Sequence, residues 1–293
     1  MTPRVAKMKT PNINRYRREQ GRVGQPRHIG PLQGHLIAAS GEFVGTFFFL
    51  WMAYSAQLMV LDQAEGTASR GGASAHTVVY ISLIYGLSLL VNAWAFYRIS
   101  GGLFNPAVVL GLACGGALPW MRAVFLIPAE LLASMVAGGL VDCMFKGGVN
   151  LGVSQVNTTL APGTSIAKGL FIEMFMTSEL VFVVLMLAAE KSKDTFLAPI
   201  GIGLALFVAE LTGVYFTGGS LNPARSFGCA VAGRSFPGYH WIYWLGPAMG
   251  AVLAALYYLF VKWAHYEQAN PGQDETNSNS SAEPGNHQGD DAV

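Results

Sequence analysis

The sequence of 293 residues contains little charge, since Asp, Glu, Lys and Arg make up only 12% of it. A soluble domain carries roughly 25% of these residues. Hydrophobic residues make up 52%, so much of the folded surface must face something other than water. The net charge of +1 gives no general attraction to nucleic acid, and we expect no nucleic-acid partner.

Cysteine and histidine are also scarce. Cys114, Cys143 and Cys229 are scattered and lie in or beside apolar stretches, which favours packed thiols over a disulfide or a metal site. The six histidines lie in the terminal segments or near the ends of apolar runs, without metal-ligand spacing. A membrane enzyme would need a positioned nucleophile or acid pair. We therefore expect no cofactor, no metal and no enzymatic activity.

Long apolar runs are abundant. A helix that crosses a bilayer takes about 20 apolar residues, and six stretches of the chain are long enough. They lie near 36–61, 77–97, 120–143, 167–189, 196–214 and 240–264. The sequence therefore predicts an all-α membrane protein with six transmembrane helices, in contact with a lipid bilayer.

The two ends of the chain differ from this apolar middle in composition. Eight Lys or Arg residues precede Pro31 against one acid, whereas five acids and no Lys or Arg follow Gln268. We predict disordered tails, basic over 1–34 and acidic over 266–293, around a membrane domain over 35–265. The basic tail places the N-terminus in the cytoplasm. Six crossings return the C-terminus to the same side.

An internal repeat divides the membrane domain. A shift of 117 residues, the separation of Asn105 and Asn222, aligns 85–116 with 202–233 without a gap. The halves run over about 35–143 and 167–264, and each contains three spans and one short apolar segment. Because three is an odd number, the halves enter the membrane from opposite sides. The result is an inverted repeat, related by an axis in the membrane plane.

The two short segments each begin with the same triplet, Asn105-Pro106-Ala107 and Asn222-Pro223-Ala224. Asn is a favoured N-cap and Pro is favoured at the first helical position, so each triplet predicts the start of a half-helix. Inverted halves bring the positive ends of both half-helices together near the midplane, where they repel cations. Irregular backbone at that depth is either buried by protein or lines a wet cavity. The pattern favours a pore or a transport site.

These loops resemble the two signature loops of the aquaporin (major intrinsic protein) family. Residues 100–108 read SGGLFNPAV and residues 217–228 read TGGSLNPARSFG, and the resemblance covers about 36–264. It implies a channel domain over 35–265 that passes water and excludes ions and protons. Hydrogen peroxide and glycerol are the alternative solutes. It also implies a homotetramer with one pore in each subunit, in the plasma membrane.

The resemblance places a selectivity filter at Tyr85, Glu210, Gly219 and Arg225. Arg225 would donate hydrogen bonds to the solute and repel cations. Glu210 departs from the family, whose water-selective members usually have His there and whose glycerol-conducting members have a small residue. We expect Glu210 either to pair with Arg225 and weaken the cation barrier, or to turn toward a backbone donor. Gly219 removes bulk, and a wider opening would suit peroxide, whereas Ser226, where glycerol-type relatives carry Asp, favours water.

Two further acids, Glu42 and Glu173, stand at equivalent places in the two halves. The resemblance gives them the role of bracing the signature loops by accepting backbone hydrogen bonds. The alternative for such a pair is a proton relay. An ion-coupled transporter therefore stays open as a competing class, because inverted repeats occur there too.

Overall fold

The computed structural model describes residues 29–67, 75–145, 152–192 and 195–271. Most of the two predicted disordered tails, 1–28 and 272–293, lies outside the described residues. Within the described ranges the chain is helical. The helices are α1 Pro31–Thr67, α2 Ala75–Phe96, α3 Pro106–Cys114, α4 Trp120–Phe145, α5 Ile166–Val184, α6 Ala198–Thr217, α7 Pro223–Ala232, α8 Ile242–Trp263 and α9 Tyr266–Ala269. A π-helical turn, Leu185–Ala189, extends α5, and 3-10 turns cover Val153–Val156 and Thr195–Leu197.

Six helices in the described ranges are long and apolar enough to cross a membrane, as predicted. They are α1, α2, α4, α8, α5 with its π-helical turn, and α6 with the 3-10 turn before it. Each exposes large apolar side chains on its outer face; examples are Phe48, Val91, Val124, Phe175, Val208 and Leu256. Such faces suit contact with lipid or with another apolar surface.

The helix ends differ from the predicted limits at both tails. α1 begins at Pro31, inside the predicted basic tail, because proline suits the first turn of a helix. At the other end, α9 lies inside the predicted acidic tail. Lys262 Nζ lies 2.9 Å from Glu267 Oε1, and this ion pair holds the short helix against the end of α8.

The two halves of the repeat meet along α2 and α6. A β-carbon built on Gly86 would lie 2.7 Å from Gly203 O, and one built on Gly203 would lie 2.7 Å from Gly86 O. These glycines are equivalent in the repeat, so the reciprocal contact marks the pseudo-two-fold axis that relates the halves. Only residues without side chains allow two helices to approach this closely.

Candidate functional site

The two signature loops adopt the same backbone conformation. Their glycine pairs have positive φ angles, 111° and 67° at Gly101 and Gly102, and 81° and 59° at Gly218 and Gly219. A non-glycine residue with positive φ follows in each loop, Phe104 at 54° in one and Leu221 at 50° in the other. For a non-glycine residue such as Phe104 or Leu221, a positive φ costs of order 1–3 kcal/mol and persists only where the surrounding structure imposes it.

Glu42 and Glu173 supply that restraint. Glu42 accepts from the backbone N–H of Leu103 at 3.1 Å and of Phe104 at 2.7 Å. Glu173 accepts from Ser220 N at 3.0 Å and Leu221 N at 2.8 Å. Both acids are fully buried, and their contacts are equivalent in the repeat. The structure thus brings both predicted acids to the loops with the hydrogen bonds that a bracing role requires.

Asn105 and Asn222 cap the half-helices and join them. Each Asn Oδ1 accepts from the N–H two residues ahead, at 2.9 Å in both halves. Asn105 Nδ2 donates to Leu221 O, and Asn222 Nδ2 donates to Phe104 O, each at 2.8 Å. The N-termini of α3 and α7 therefore meet head to head. Each triplet's Pro and Ala, Pro106, Ala107, Pro223 and Ala224, are buried in the first turns.

Arg225 is 1% exposed and has no carboxylate among its hydrogen-bond partners in the described part of the chain. Its Nη1 donates to Val156 O at 2.7 Å and approaches Cys229 Sγ at 3.9 Å. Its Nη2 donates to Gln57 Oε1 at 3.1 Å and to Gly218 O at 3.3 Å. The guanidinium thus keeps its full positive charge, held by dipoles rather than by an opposite charge.

The sequence analysis missed two of these partners, Gln57 and Val156. Gln57 is a buried polar residue inside α1, and its Oε1 also accepts from the Tyr85 hydroxyl at 2.8 Å. It therefore fixes two predicted filter residues, Tyr85 and Arg225, at once. A polar residue within an apolar span was a usable signal. Val156 acts through its carbonyl, for which a sequence carries no signal.

The expectation for Glu210 was wrong on both alternatives. The side chain is fully buried, yet neither Oε1 nor Oε2 has a hydrogen-bond partner among the described residues. It forms no hydrogen bond with Arg225 or with a backbone N–H. The terminal N–H groups of Arg225 are already directed at carbonyl oxygens and at Gln57. A buried polar atom without a partner costs about 1–3 kcal/mol.

Gly219 explains where the Glu210 carboxylate lies. A β-carbon at Gly219 would fall on the Glu210 carboxylate, whose Cδ would be only 2.6 Å away. The space released by the missing side chain is therefore taken by the acid. The expectation that Gly219 widens the filter is not met at this point of the structure.

A cavity of about 310 Å³ connects the site residues. Tyr85, Glu210 and Arg225 line it toward one end, Asn105 and Asn222 line its middle, and its lining continues past α2 to Tyr97, Ser100 and Lys191. Glu42 and Glu173 lie behind the loops and do not line it. Three of the four predicted filter residues thus line the same cavity as the meeting point of the half-helices, whereas Gly219 is not among its lining residues.

This architecture matches a known family. The model of the family described as MIP, major intrinsic protein, matches residues 33–258. The chain belongs to the major intrinsic protein family. Proteins of this family are membrane channels, so the chain is a multi-pass integral membrane channel, and the predicted fold is confirmed.

Curated relatives carry the name aquaporin. Probable aquaporin-3 of Gibberella zeae is 61% identical over 247 residues, which are 84% of this chain and 85% of that protein. Aquaporin-7 of Botryotinia fuckeliana is 53% identical over 245 residues, 83% of this chain but only 53% of that protein. The chain thus spans about half the length of the second relative.

A solved structure shares the fold. The X-ray structure of the aquaglyceroporin from Plasmodium falciparum superposes with a TM-score of 0.63 at 20% identity and covers 78% of this chain and 95% of that one. At this identity the likeness supports the arrangement of helices and carries no information on the solute.

Proposed function

We propose that the chain is a passive water channel that excludes ions and protons. The observation that carries this proposal is the head-to-head meeting of α3 and α7 in a buried cavity lined by Asn105 and Asn222. A cation there meets two positive helix ends. Each amide nitrogen has two hydrogens, so one can hold the opposite loop while the other donates to water. A water that accepts from both Asn residues points its hydrogens away, which interrupts a proton relay.

We further propose that Tyr85, Glu210, Gly219 and Arg225 form the selectivity filter. Arg225 supports this role because no carboxylate among the described residues forms an ion pair with it, and a desolvated positive charge in a narrow path repels other cations. Its guanidinium carbon lies 4.9 Å from the centre of the Tyr85 ring, so the two side chains form one wall.

The choice of water over glycerol has support in Ser226, which stands in the second signature loop where glycerol-type relatives carry Asp. The Ser226 hydroxyl lies 2.8 Å from the hydroxyl of Thr158 and 2.6 Å from that of Ser220, so it belongs to a compact network that fixes the loop. The argument for peroxide came from an open Gly219, and the Glu210 carboxylate takes that space. Water is therefore the solute that we propose.

The proposed arrangement in the cell is a homotetramer in the plasma membrane, with the channel domain over 35–265 and both termini in the cytoplasm. The exposed apolar faces of the spans suit both lipid and neighbouring subunits. Lys191 and Lys262, which follow α5 and end α8, lie at the end of the bundle assigned to the cytoplasm, in agreement with the positive-inside rule.

Stopped-flow light scattering on proteoliposomes tests the water proposal. The full chain should shrink vesicles in sucrose well above the rate of empty liposomes, and glycerol entry should stay at the background. Leu206 lines the cavity, and Val208 faces outward two residues later on the same helix. Leu206→Trp should abolish water flow, and Val208→Trp should not. Water flow equal to that of empty liposomes would refute the proposal.

A further inference from the structure

A glycan-acceptor motif, Asn157-Thr158-Thr159, lies in the segment that joins α4 to α5. Such a motif marks an N-glycosylation site where it lies on a surface loop outside the cytoplasm. The predicted topology places this segment, between the third and fourth spans, on the side opposite the cytoplasm. A second motif, over 279–281, lies in the predicted cytoplasmic tail. By pattern alone, Asn157 is therefore the candidate for carrying a glycan.

The structure buries this acceptor. Asn157 is 6% exposed and Thr158 is 0% exposed. Asn157 Nδ2, the atom to which a glycan would be attached, donates to Ser235 O at 2.7 Å. A glycan is bulky and belongs on the protein surface. Its attachment and the packing of Asn157 against Ser235 therefore exclude each other.

The amide of Asn157 instead ties this segment to the end of α7. Ser235 N donates to Ala230 O at 2.9 Å, so the Ser235 carbonyl is held by the half-helix. Asn157 Oδ1 has no hydrogen-bond partner among the described residues, which leaves the donor as the group through which the amide acts. The preceding carbonyl, Val156 O, accepts from Arg225 Nη1 at 2.7 Å. Asn157 therefore restrains the residue whose carbonyl holds the Arg225 guanidinium.

Close backbone contacts make this restraint stiff. A β-carbon built on Gly218 would lie 2.9 Å from Thr158 Cα, and one built on Gly233 would lie 2.8 Å from Ser154 Cα. Gly218 precedes α7 and Gly233 follows it. The segment between α4 and α5 therefore packs along both ends of the half-helix with no space for a side chain at either glycine, and a shift at residue 157 must move these contacts too.

We propose that Asn157 is a positioning residue for Arg225 and carries no glycan in the folded channel. It acts through the Val156 carbonyl, which it holds within hydrogen-bond distance of the guanidinium. Thr159 completes the acceptor motif and is exposed, so it can be changed without disturbing the buried contacts. The inference rests on the proposed function of Arg225 in the filter.

Two variants separate the glycan from the hydrogen bond. Thr159→Ala removes the acceptor motif but keeps the Asn157 amide, whereas Asn157→Ala removes both. The full chain is expressed in eukaryotic cells, and its electrophoretic mobility is compared before and after peptide-N-glycosidase F. The wild type should not shift. Gly163→Asn is the positive control, because it creates a motif with Thr164 and Ser165 where φ is 86° and an added β-carbon meets nothing within 4 Å.

Water permeability per folded channel tests the positioning role. In proteoliposomes, Thr159→Ala should conduct like the wild type, and Asn157→Ala should conduct roughly fivefold less, as for the loss of one hydrogen bond. In an Arg225→Ala background, Asn157→Ala should cause no further loss, because the side chain that it positions is gone. A role in stability alone would leave the permeability of each folded channel unchanged in both backgrounds.

Three results overturn the inference. One is a glycan on the conducting wild type that Thr159→Ala lacks, another is wild-type permeability in folded Asn157→Ala, and the third is an equal loss in both Arg225 backgrounds. A folded wild type that conducts no water would instead refute the proposed function, and the mobility assay would still decide whether Asn157 carries a glycan. Gel filtration establishes folding. If the alanine variant aggregates, Asn157→Ser decides, because serine is too short to reach Ser235.

Discussion

The carboxylate of Glu210 occupies the place that a side chain at residue 219 would need. The acid and Gly219 are therefore coupled: the missing side chain of one makes room for the carboxylate of the other. Gly219 also has a φ of 59°, a conformation that L-residues with a β-carbon adopt at a cost. Glycine is therefore favoured at residue 219 both by the space that the carboxylate occupies and by the positive φ. Mutations can separate these two effects.

Gly219→Ala should destabilise the protein by more than the backbone strain alone. The strain of alanine at positive φ is about 1 kcal/mol, and the added β-carbon must also displace the carboxylate. Gly116→Ala is the matched control, because Gly116 has a φ of 76° and a β-carbon added there would meet nothing within 4 Å. Thermal unfolding in detergent should give a clearly lower midpoint for Gly219→Ala. Adding Glu210→Ala should return it to the level of the control, and equal midpoints for both single variants would contradict the contact.

Much of the fold could be predicted because its signals are local. A span near 120–143 is predicted from apolar length alone, and α4 covers Trp120–Phe145. The half-helices α3 and α7 begin one residue after Asn105 and Asn222, since an N-cap followed by proline specifies a helix start. The internal repeat, with three spans in each half, then predicts that the two halves are inverted relative to each other.

The filter could be predicted only in part, because its geometry depends on contacts between distant segments. Arg225 is held by Gln57, which is 168 residues away in sequence, and by the carbonyl of Val156. No pattern in the loop that contains Val156 indicates this role. The position of Glu210 depended on whether Gly219 leaves room for its carboxylate, and a steric relationship of this kind is decided only by three-dimensional packing.

Glu173→Ala should strongly destabilise the second signature loop. Glu173 accepts from Ser220 N, Leu221 N and the Thr217 hydroxyl, the last at 2.7 Å. Each buried donor left without its acceptor costs about 1–3 kcal/mol. Glu179 is an exposed acid on the same helix, so Glu179→Ala is the matched control. Yield and thermal midpoint in detergent should fall for Glu173→Ala alone, and similar losses in both variants would argue against a bracing role.

Gln57→Leu should alter the filter while the fold persists. Leucine has similar bulk but no acceptor, so the Tyr85 hydroxyl and Arg225 Nη2 both lose a buried partner. We expect a freed guanidinium to shift in the path and water permeability to fall roughly tenfold, as for the loss of one charge-assisted hydrogen bond. Ser55→Ala is the control, because the Ser55 hydroxyl donates only to Trp51 O in its own helix. Stopped-flow rates that are equal for both variants would show that Gln57 does not position the filter.

Asn222→Asp should open a leak for protons or other cations at the midplane. Aspartate is as good an N-cap as asparagine, so its oxygen can still accept from Ala224 N and Arg225 N and the half-helix is retained. The amide donor to Phe104 O is lost, and a negative charge then lies between two positive helix ends and offsets the field that repels cations.

The leak can be measured with a pH-sensitive dye inside proteoliposomes, under a potassium potential set with valinomycin. Asn105→Asp is the symmetric comparison, because its amide donates to Leu221 O in the same way at 2.8 Å. Both variants should carry protons well above the wild type while water flow continues. If both kept water flow and stayed proton-tight, cation exclusion would have to reside in Arg225 alone, since the opposed helix ends would no longer account for it.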